Sequence, residues 1–402
     1  MANTLLTLDE ITTEALAVLH EHLPFIGTID RQYDSAFVQT PGKIGESLRI
    51  RLPAEYEVTT GRSLVLQDTT QRQVTLTLAT QKHVGIQFTG IERKLSLEEY
   101  SKEHLEPAMS VLASAMEADA LTMALDIPSL VGTPGTTPVT LKVWLDAVAK
   151  LNQQLAPKGD KRCIQMDALT QASMVDFLKG QFNDQNEIGK QYLEGMMGKA
   201  LGCKWYENNL IPNITIGTQD STTPLINGAS QSGATLAIDG LDSGATIKKG
   251  TVFTIASVNA IHQETKASYG YLKQFVVTAD TTAVGTAMAA LPISPSIYTD
   301  GGLQNVDAGP ADDAAIIHET FAGVANATNP NNLMYHKNAF AFVMADLPLY
   351  GGADKCVMVK KDNLSMRCWS EGLIGSDVLA TRIDVLYGFK TIRPELAVRI
   401  IG

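Results

Sequence analysis

The chain has 402 residues, 45% of them apolar and 19% charged, so it can bury a sizeable core and is not disordered throughout. Its 32 Lys and Arg against 43 Asp and Glu leave a formal net charge of −11, which excludes a polyanion-binding surface over the whole chain but not a local basic patch. Cys163, Cys203, Cys356 and Cys368 form no Cys-x-x-Cys pair, which argues against a zinc ribbon or redox motif and predicts reduced thiols.

The N-terminus has no charged segment leading into an apolar run, and no apolar stretch approaches ~18 residues, so neither a secretory signal nor a membrane span is expected. Residues 8–23 read as a short amphipathic helix. Ile11, Ala15, Val18 and Leu19 share its apolar face, and Pro24 stops it. His20 and His22 lie two apart and point in different directions, which suits helix-end histidines better than joint metal ligands. From Gly27 to Pro41 the chain reads as an irregular arm.

Strand patterning follows. Leu48, Ile50 and Leu52 alternate with Arg49 and Arg51, and Val74, Leu76 and Leu78 alternate with Thr75 and Thr77. The polar stretch 54–73 between them gives a long two-stranded loop with a wide tip. A lone ribbon is marginal in water, so it needs a surface from its own domain or from a neighbouring subunit. Val84, Ile86 and Phe88 form a third alternating run.

Residues 95–127 then read as helix. Ser96 and Glu99 have capping-box spacing, and Pro107 either kinks the helix or opens a second one. Leu105, Met109, Leu112, Met116 and Met123 fall on one face, and 107–125 makes a rod of roughly 30 Å at ~1.5 Å per residue. Such a helix is either an ordinary core helix or the spine of a larger body. Leu112 and Met116 are expected to pack on a sheet of C-terminal strands, with Glu117 on the opposite, solvent side.

Past Pro128 to Gly135, helices are predicted at 140–155, 168–178 and 188–197, with a short buried strand at 163–166 and a polar loop at 180–187. Helices interleaved with short strands suggest a compact α/β or α+β lobe. From 218 to 306 the chain becomes rich in Gly, Ser, Thr and Ala. Asp239-Gly240 and Asp300-Gly301 are turn pairs, and strands are predicted at 236–238, 252–255 and 275–278. This reads as a small β-barrel or sandwich inserted in the lobe. Strands at 339–345, 357–359, 365–369 and 377–386 then return to it, with Tyr387-Gly388-Phe389 read as a turn into a final strand, 390–401.

Catalytic patterns are mostly missing. Gly42-Lys43-Ile44-Gly45 lacks the spacing of a phosphate loop, and no Gly-x-Ser-x-Gly elbow occurs. His318-Glu319 begins like a zinc-protease helix, but Ala322 stands where the second histidine is needed, so the pair reads as a solvated helix face. Asp312-Asp313 reads as charge at a helix start, and Trp205-Tyr206 as core or interface packing before a stacking platform. No catalytic, cofactor-binding or metal-ligating residue is nominated.

Three stretches carry a resemblance. Lys248-Lys249-Gly250-Thr251-Val252-Phe253-Thr254-Ile255 with Phe275-Val276-Val277-Thr278 resembles the strands of an inserted β domain. Leu333-Met334-Tyr335-His336-Lys337-Asn338-Ala339-Phe340 resembles the re-entry into a main lobe, and Tyr387-Gly388-Phe389-Lys390-Thr391-Ile392-Arg393-Pro394-Glu395 a C-terminal turn and strand. With the order of parts around them they resemble the HK97-like major capsid proteins of tailed bacteriophages, in the subgroup of the short-tailed phage P-22 coat protein. The resemblance implies an α+β fold with six parts. These are an N-terminal helix and arm (1–45), an extended loop with peripheral strands (46–90), a spine helix (91–137), the first part of an axial domain (138–217), an inserted β domain (218–306), and the axial return with C-terminal peripheral strands (307–402). It also implies a non-enzymatic coat protein. Such a protein assembles as hexamers and pentamers into an icosahedral head, through a procapsid, with a scaffolding protein and a portal. It encloses double-stranded DNA, has no membrane partner, and is assembled in the host bacterial cytoplasm. The alternatives are a glycan- or surface-binding module, which requires an exposed aromatic cluster in 218–306, and an encapsulin-like shell, which generally lacks so large an insertion.

Overall fold

The structure is a computed structural model. It describes residues 15, 23–33, 45–64, 66–67, 71–89, 106–159, 161–178, 199–215, 217–218, 223–320, 328–349, 355–361, 364–373 and 378–401. The helices expected at 8–23 and 188–197, and the capping box at Ser96 and Glu99, lie outside these residues or nearly so. The chain divides into two compact units. The first comprises 1–50, 73–121 and 340–392, and the second 51–72, 122–339 and 393–402.

The first unit is built on a five-stranded antiparallel sheet. Its axis is the strand Val378–Thr391, which pairs with Thr80–Thr89 on one edge and with Leu364–Leu373 and Phe340–Ala345 on the other. Tyr387, Gly388 and Phe389 lie inside this strand, not at a turn. Gly388 lets the chain continue because a Cβ there would stand 2.3 Å from the carbonyl oxygen of Thr77. The sheet therefore admits a second layer of backbone only where a side chain is missing. The break comes later, at the 3-10 turn Pro394–Leu396, where proline cannot donate to a ladder.

The helix Glu106–Leu121 lies on this sheet with Met109, Leu112, Ala113, Met116 and Ala120 buried. Lys82 Nζ bonds the carbonyl of Ala115 at 3.2 Å and pairs with Asp119 at 2.8 Å, and the Tyr387 hydroxyl donates to Asp119 at 2.7 Å. The inward face expected for Leu112 and Met116 is therefore the observed one. With its 3-10 continuation to Asp126, this helix is, among the described residues, the one long and apolar enough to cross a membrane by length and composition; half of that window is buried in the protein.

The second unit holds two sheets of six strands. One has the order Leu130–Gly132, Ala397–Ile401, Asn332–His336, Arg162–Met166, Cys203–Glu207, Lys199–Ala200. Its three strands Ala397–Ile401, Asn332–His336 and Arg162–Met166 are buried at every position, as expected where both faces are covered. The helix Leu141–Gln153 covers it, with Trp144 fully buried against Trp205, ring centroids 4.9 Å apart. Trp205 is thus a core residue.

The other sheet runs Ile316–His318, Val252–Ile261, Ser268–Val277, Met288–Ile297, Gly233–Asp239, Leu225–Ile226. Its two ends meet. Leu225 bridges Ala315, the Ile316 amide donates to the carbonyl of Pro224, and the Ile226 amide to that of Ala314. The sheet is therefore a closed barrel, which leaves no free edge. The directly opposed pair Phe253 and Phe275 stacks in its core at 5.9 Å. The closing strand Ile316–His318 lies beyond residue 306, the end expected from composition.

Candidate assembly surfaces

The extended loop has a buried base and an exposed tip. Strands Ser47–Arg51 and Gln73–Thr77 pair, and Leu76 and Leu78 are fully buried. Their own unit therefore supplies the surface that the ribbon needs. Beyond Arg51 the loop carries a different set of contacts. Arg72 pairs with Glu55, the Gln67 side chain bonds the backbone of Glu57, and the Glu55 carbonyl lies where a Cβ on Gly302 would stand at 2.5 Å. At the tip, Val58, Leu64 and Leu66 are 85–86% exposed and Tyr56 is 58% exposed. Apolar side chains so completely in water, grouped on one loop, are what an interface leaves on an isolated subunit.

The N-terminal arm is tied down by a residue expected in solvent. Glu117 is fully buried, and its carboxylate accepts the backbone amides of Phe25 at 2.5 Å and Ile26 at 3.2 Å. The periodicity that put Leu112 and Met116 inside placed Glu117 on the other side, but the arm covers that side. Phe25 packs edge-on to Phe340 at 5.6 Å, and Asp30 forms a parallel bridge to Ala341. No local signal at Glu117 gives the partner, which lies about ninety positions away.

His318 and Glu319 follow the same logic. His318 ends a barrel strand, not a helix face, and both of its ring nitrogens are buried with no hydrogen-bond partner among the described residues. Burial lowers its pKa to about 4, so it is held neutral against the edge of Phe253. Glu319 accepts the Thr254 hydroxyl at 3.2 Å. Asp312 and Asp313 start no helix. Asp312 accepts the Gly228 amide at 2.7 Å, and Asp313 takes a left-handed backbone, φ 58°, just before the closing strand.

Charged groups buried inside the units were missed as well. Asp384 is fully buried and bonded by Arg367 at 2.6 Å and Arg382 at 2.7 Å, and both guanidiniums stack on Trp369. Arg399 is fully buried, donates to the Gly250 carbonyl at 2.8 Å, and is lowered to about 9 by burial. All four cysteines are free, and burial pushes Cys163 and Cys203 up to about 11, away from thiolate reactivity. Among the described residues, no group of three or more His, Cys, Asp and Glu could hold a metal ion. In the barrel, Tyr269 and Tyr271 stack at 5.4 Å, and both hydroxyls bond Gln153 of the covering helix, so their polar tips are already engaged.

The model of the family described as P22 coat protein, gene protein 5, matches residues 9–402. No curated protein matches the sequence. Similar solved structures include one from Mycobacterium phage Che8, with 12% identity, TM-score 0.47, and cover of 94% of this chain and 90% of that one. The capsid structure of the cyanophage P-SCSP1u has 12% identity, TM-score 0.42, and cover of 90% and 84%. The virus-like particle from Pyrococcus furiosus has 9% identity, TM-score 0.37, and cover of 98% and 98%. A match of nearly the whole chain places this α+β chain in the P22 coat protein family, as a major capsid protein of a bacteriophage.

Proposed function

We propose that this coat protein closes into hexamers and pentamers on an icosahedral head around double-stranded DNA. It does so in a bacterial cytoplasm, first as a procapsid on a scaffolding protein with a portal at one vertex. Its role is architectural, with no catalytic, cofactor or metal-binding residue and no membrane partner. We assign 1–45 to the arm, 46–90 to the loop and its strands, 91–137 to the spine, 138–217 and 307–402 to the axial lobe with its returning strands, and 218–306 to the insertion, whose barrel also takes the strand Ile316–His318 from the returning segment. The acidic balance suits a wall that contains DNA without gripping it, since tight phosphate neutralisation needs many Lys and Arg.

The observation that carries this reading is the loop tip. Val58, Leu64 and Leu66 find no cover among the described residues, and in a shell a neighbouring copy supplies it. Replacing all three by Asp leaves the monomer core untouched. The triple variant is expected to yield soluble, folded subunits that form no shells by negative-stain microscopy when co-expressed with scaffold. Normal shells from this variant would remove the loop from the interface.

A further inference from the structure

The second unit contains a cleft of about 90 Å3, lined by Glu55, Arg72, Lys150, Tyr271, Lys273 and Gln274, among others. A single ordered water needs only ~10–15 Å3, so the cleft can take a polar head group. Three cations line it. Arg72 has its carboxylate, Glu55. Lys150 bonds two neutral oxygens, the Leu130 carbonyl at 3.0 Å and the Gln274 amide oxygen. Among the described residues, Lys273 has no hydrogen bond and no ion pair. Two other carboxylates act on these amines from a distance without pairing with them, Glu395 in the cleft lining on Lys273 and Glu319 on Lys150. Glu395 is bonded by Arg393 at 2.7 Å, and Glu319 by Thr254. Burial accordingly lowers Lys150 to about 8 and Lys273 below the usual lysine range.

Among the described residues neither ammonium has an ion pair of its own, and an ammonium partly withdrawn from water without a directly bonded carboxylate is costly. We propose that the cleft receives a carboxylate side chain from a neighbouring copy of this chain, which sits between Lys150 and Lys273 in the assembled shell. Each copy supplies such groups abundantly, with 43 acidic residues against 32 basic ones. The inference rests on the shell-forming role proposed above.

The test uses full-length protein, as shells and as unassembled subunits. Shells are grown from an equal mixture of nitrogen-15 and natural-abundance subunits, checked by microscopy, then treated with a water-soluble carbodiimide and digested. The expected result is an amide link between Lys273 or Lys150 and an Asp or Glu peptide of the other isotope. Reductive methylation supplies an independent reading. A carboxylate that raises the Lys273 pKa by one unit cuts its free-amine fraction, and with it the labelling rate, about tenfold from subunit to shell. Shells whose only link joins Lys273 to Glu395 or Glu55 of the same copy overturn the inference and leave the shell reading standing. Shells with unchanged lysine reactivity overturn it as well. A failure of the subunits to form shells overturns the role and the inference together.

Discussion

Glu117 shows how much one carboxylate can hold. It satisfies two backbone amides of the arm inside the first unit, and Glu117→Ala leaves both without that partner. Orphaning a buried donor costs ~1–3 kcal/mol, so this substitution is expected to lower the urea midpoint, where an exposed glutamate would change stability by less than ~0.5 kcal/mol. A midpoint equal to wild type means that the arm is not anchored there. His318 makes a pH prediction. Its folded pKa of about 4 lies below the ordinary 6.5, so between those values the unfolded state binds the extra proton. Stability from this group is complete above pH ~6.5 and falls as pH drops towards 4, by roughly 3 kcal/mol in the limit. His318→Phe keeps a ring against Phe253 and removes the proton. Barrel unfolding followed between pH 7 and 4 is expected to have a shallower slope in this variant.

At the scale of elements, the spine helix and the strand Val378–Thr391 are each sensitive at one inward residue. Leu112 is 2% exposed, and Leu112→Ala costs ~2–5 kcal/mol through lost burial and the cavity left behind. Subunits carrying it should assemble at low temperature and aggregate when warmed, which light scattering during a temperature ramp measures. Gly388 and Gly85 offer a matched pair in the same sheet. A Cβ at Gly388 meets the Thr77 carbonyl, whereas one at Gly85 meets nothing within 4 Å. Gly388→Ala is expected to destabilise by ~1–3 kcal/mol through forced displacement of the loop base, and Gly85→Ala to be neutral or slightly stabilising. Equal midpoints for the two variants would show that the ribbon does not press on that strand.

For the whole molecule, the barrel defines what can fold alone. A fragment of 218–306 lacks Ile316–His318 and the Leu225–Ala315 bridge, so the edge of Val252–Ile261 stands open. A fragment of 223–320 contains both. The longer fragment is expected to show a sharp calorimetric transition, and the shorter one a broader, lower transition with a tendency to aggregate through the open edge. Identical melting of the two would mean that closure contributes nothing to barrel stability.

The sequence by itself determined the alternating strands, the Met-striped helix, and the placing of Phe253 and Phe275 in strands. Those features are local, because periods of 2.0 and 3.6 residues report which side chains face a core whatever the partner is. Only the tertiary structure decided that Glu117 is inside, that His318 is a neutral strand residue, that Tyr387 to Phe389 run straight on, and that the barrel closes past residue 306. Each of these depends on a partner far away in sequence: the Phe25 amide, the Phe253 ring, the Thr77 carbonyl and the Leu225 backbone. The same holds for the cleft. Lys150 and Lys273 look like ordinary surface lysines in the chain, and they become a site because the fold withdraws water from them and pairs the carboxylates of the cleft lining, Glu55 and Glu395, with arginines instead.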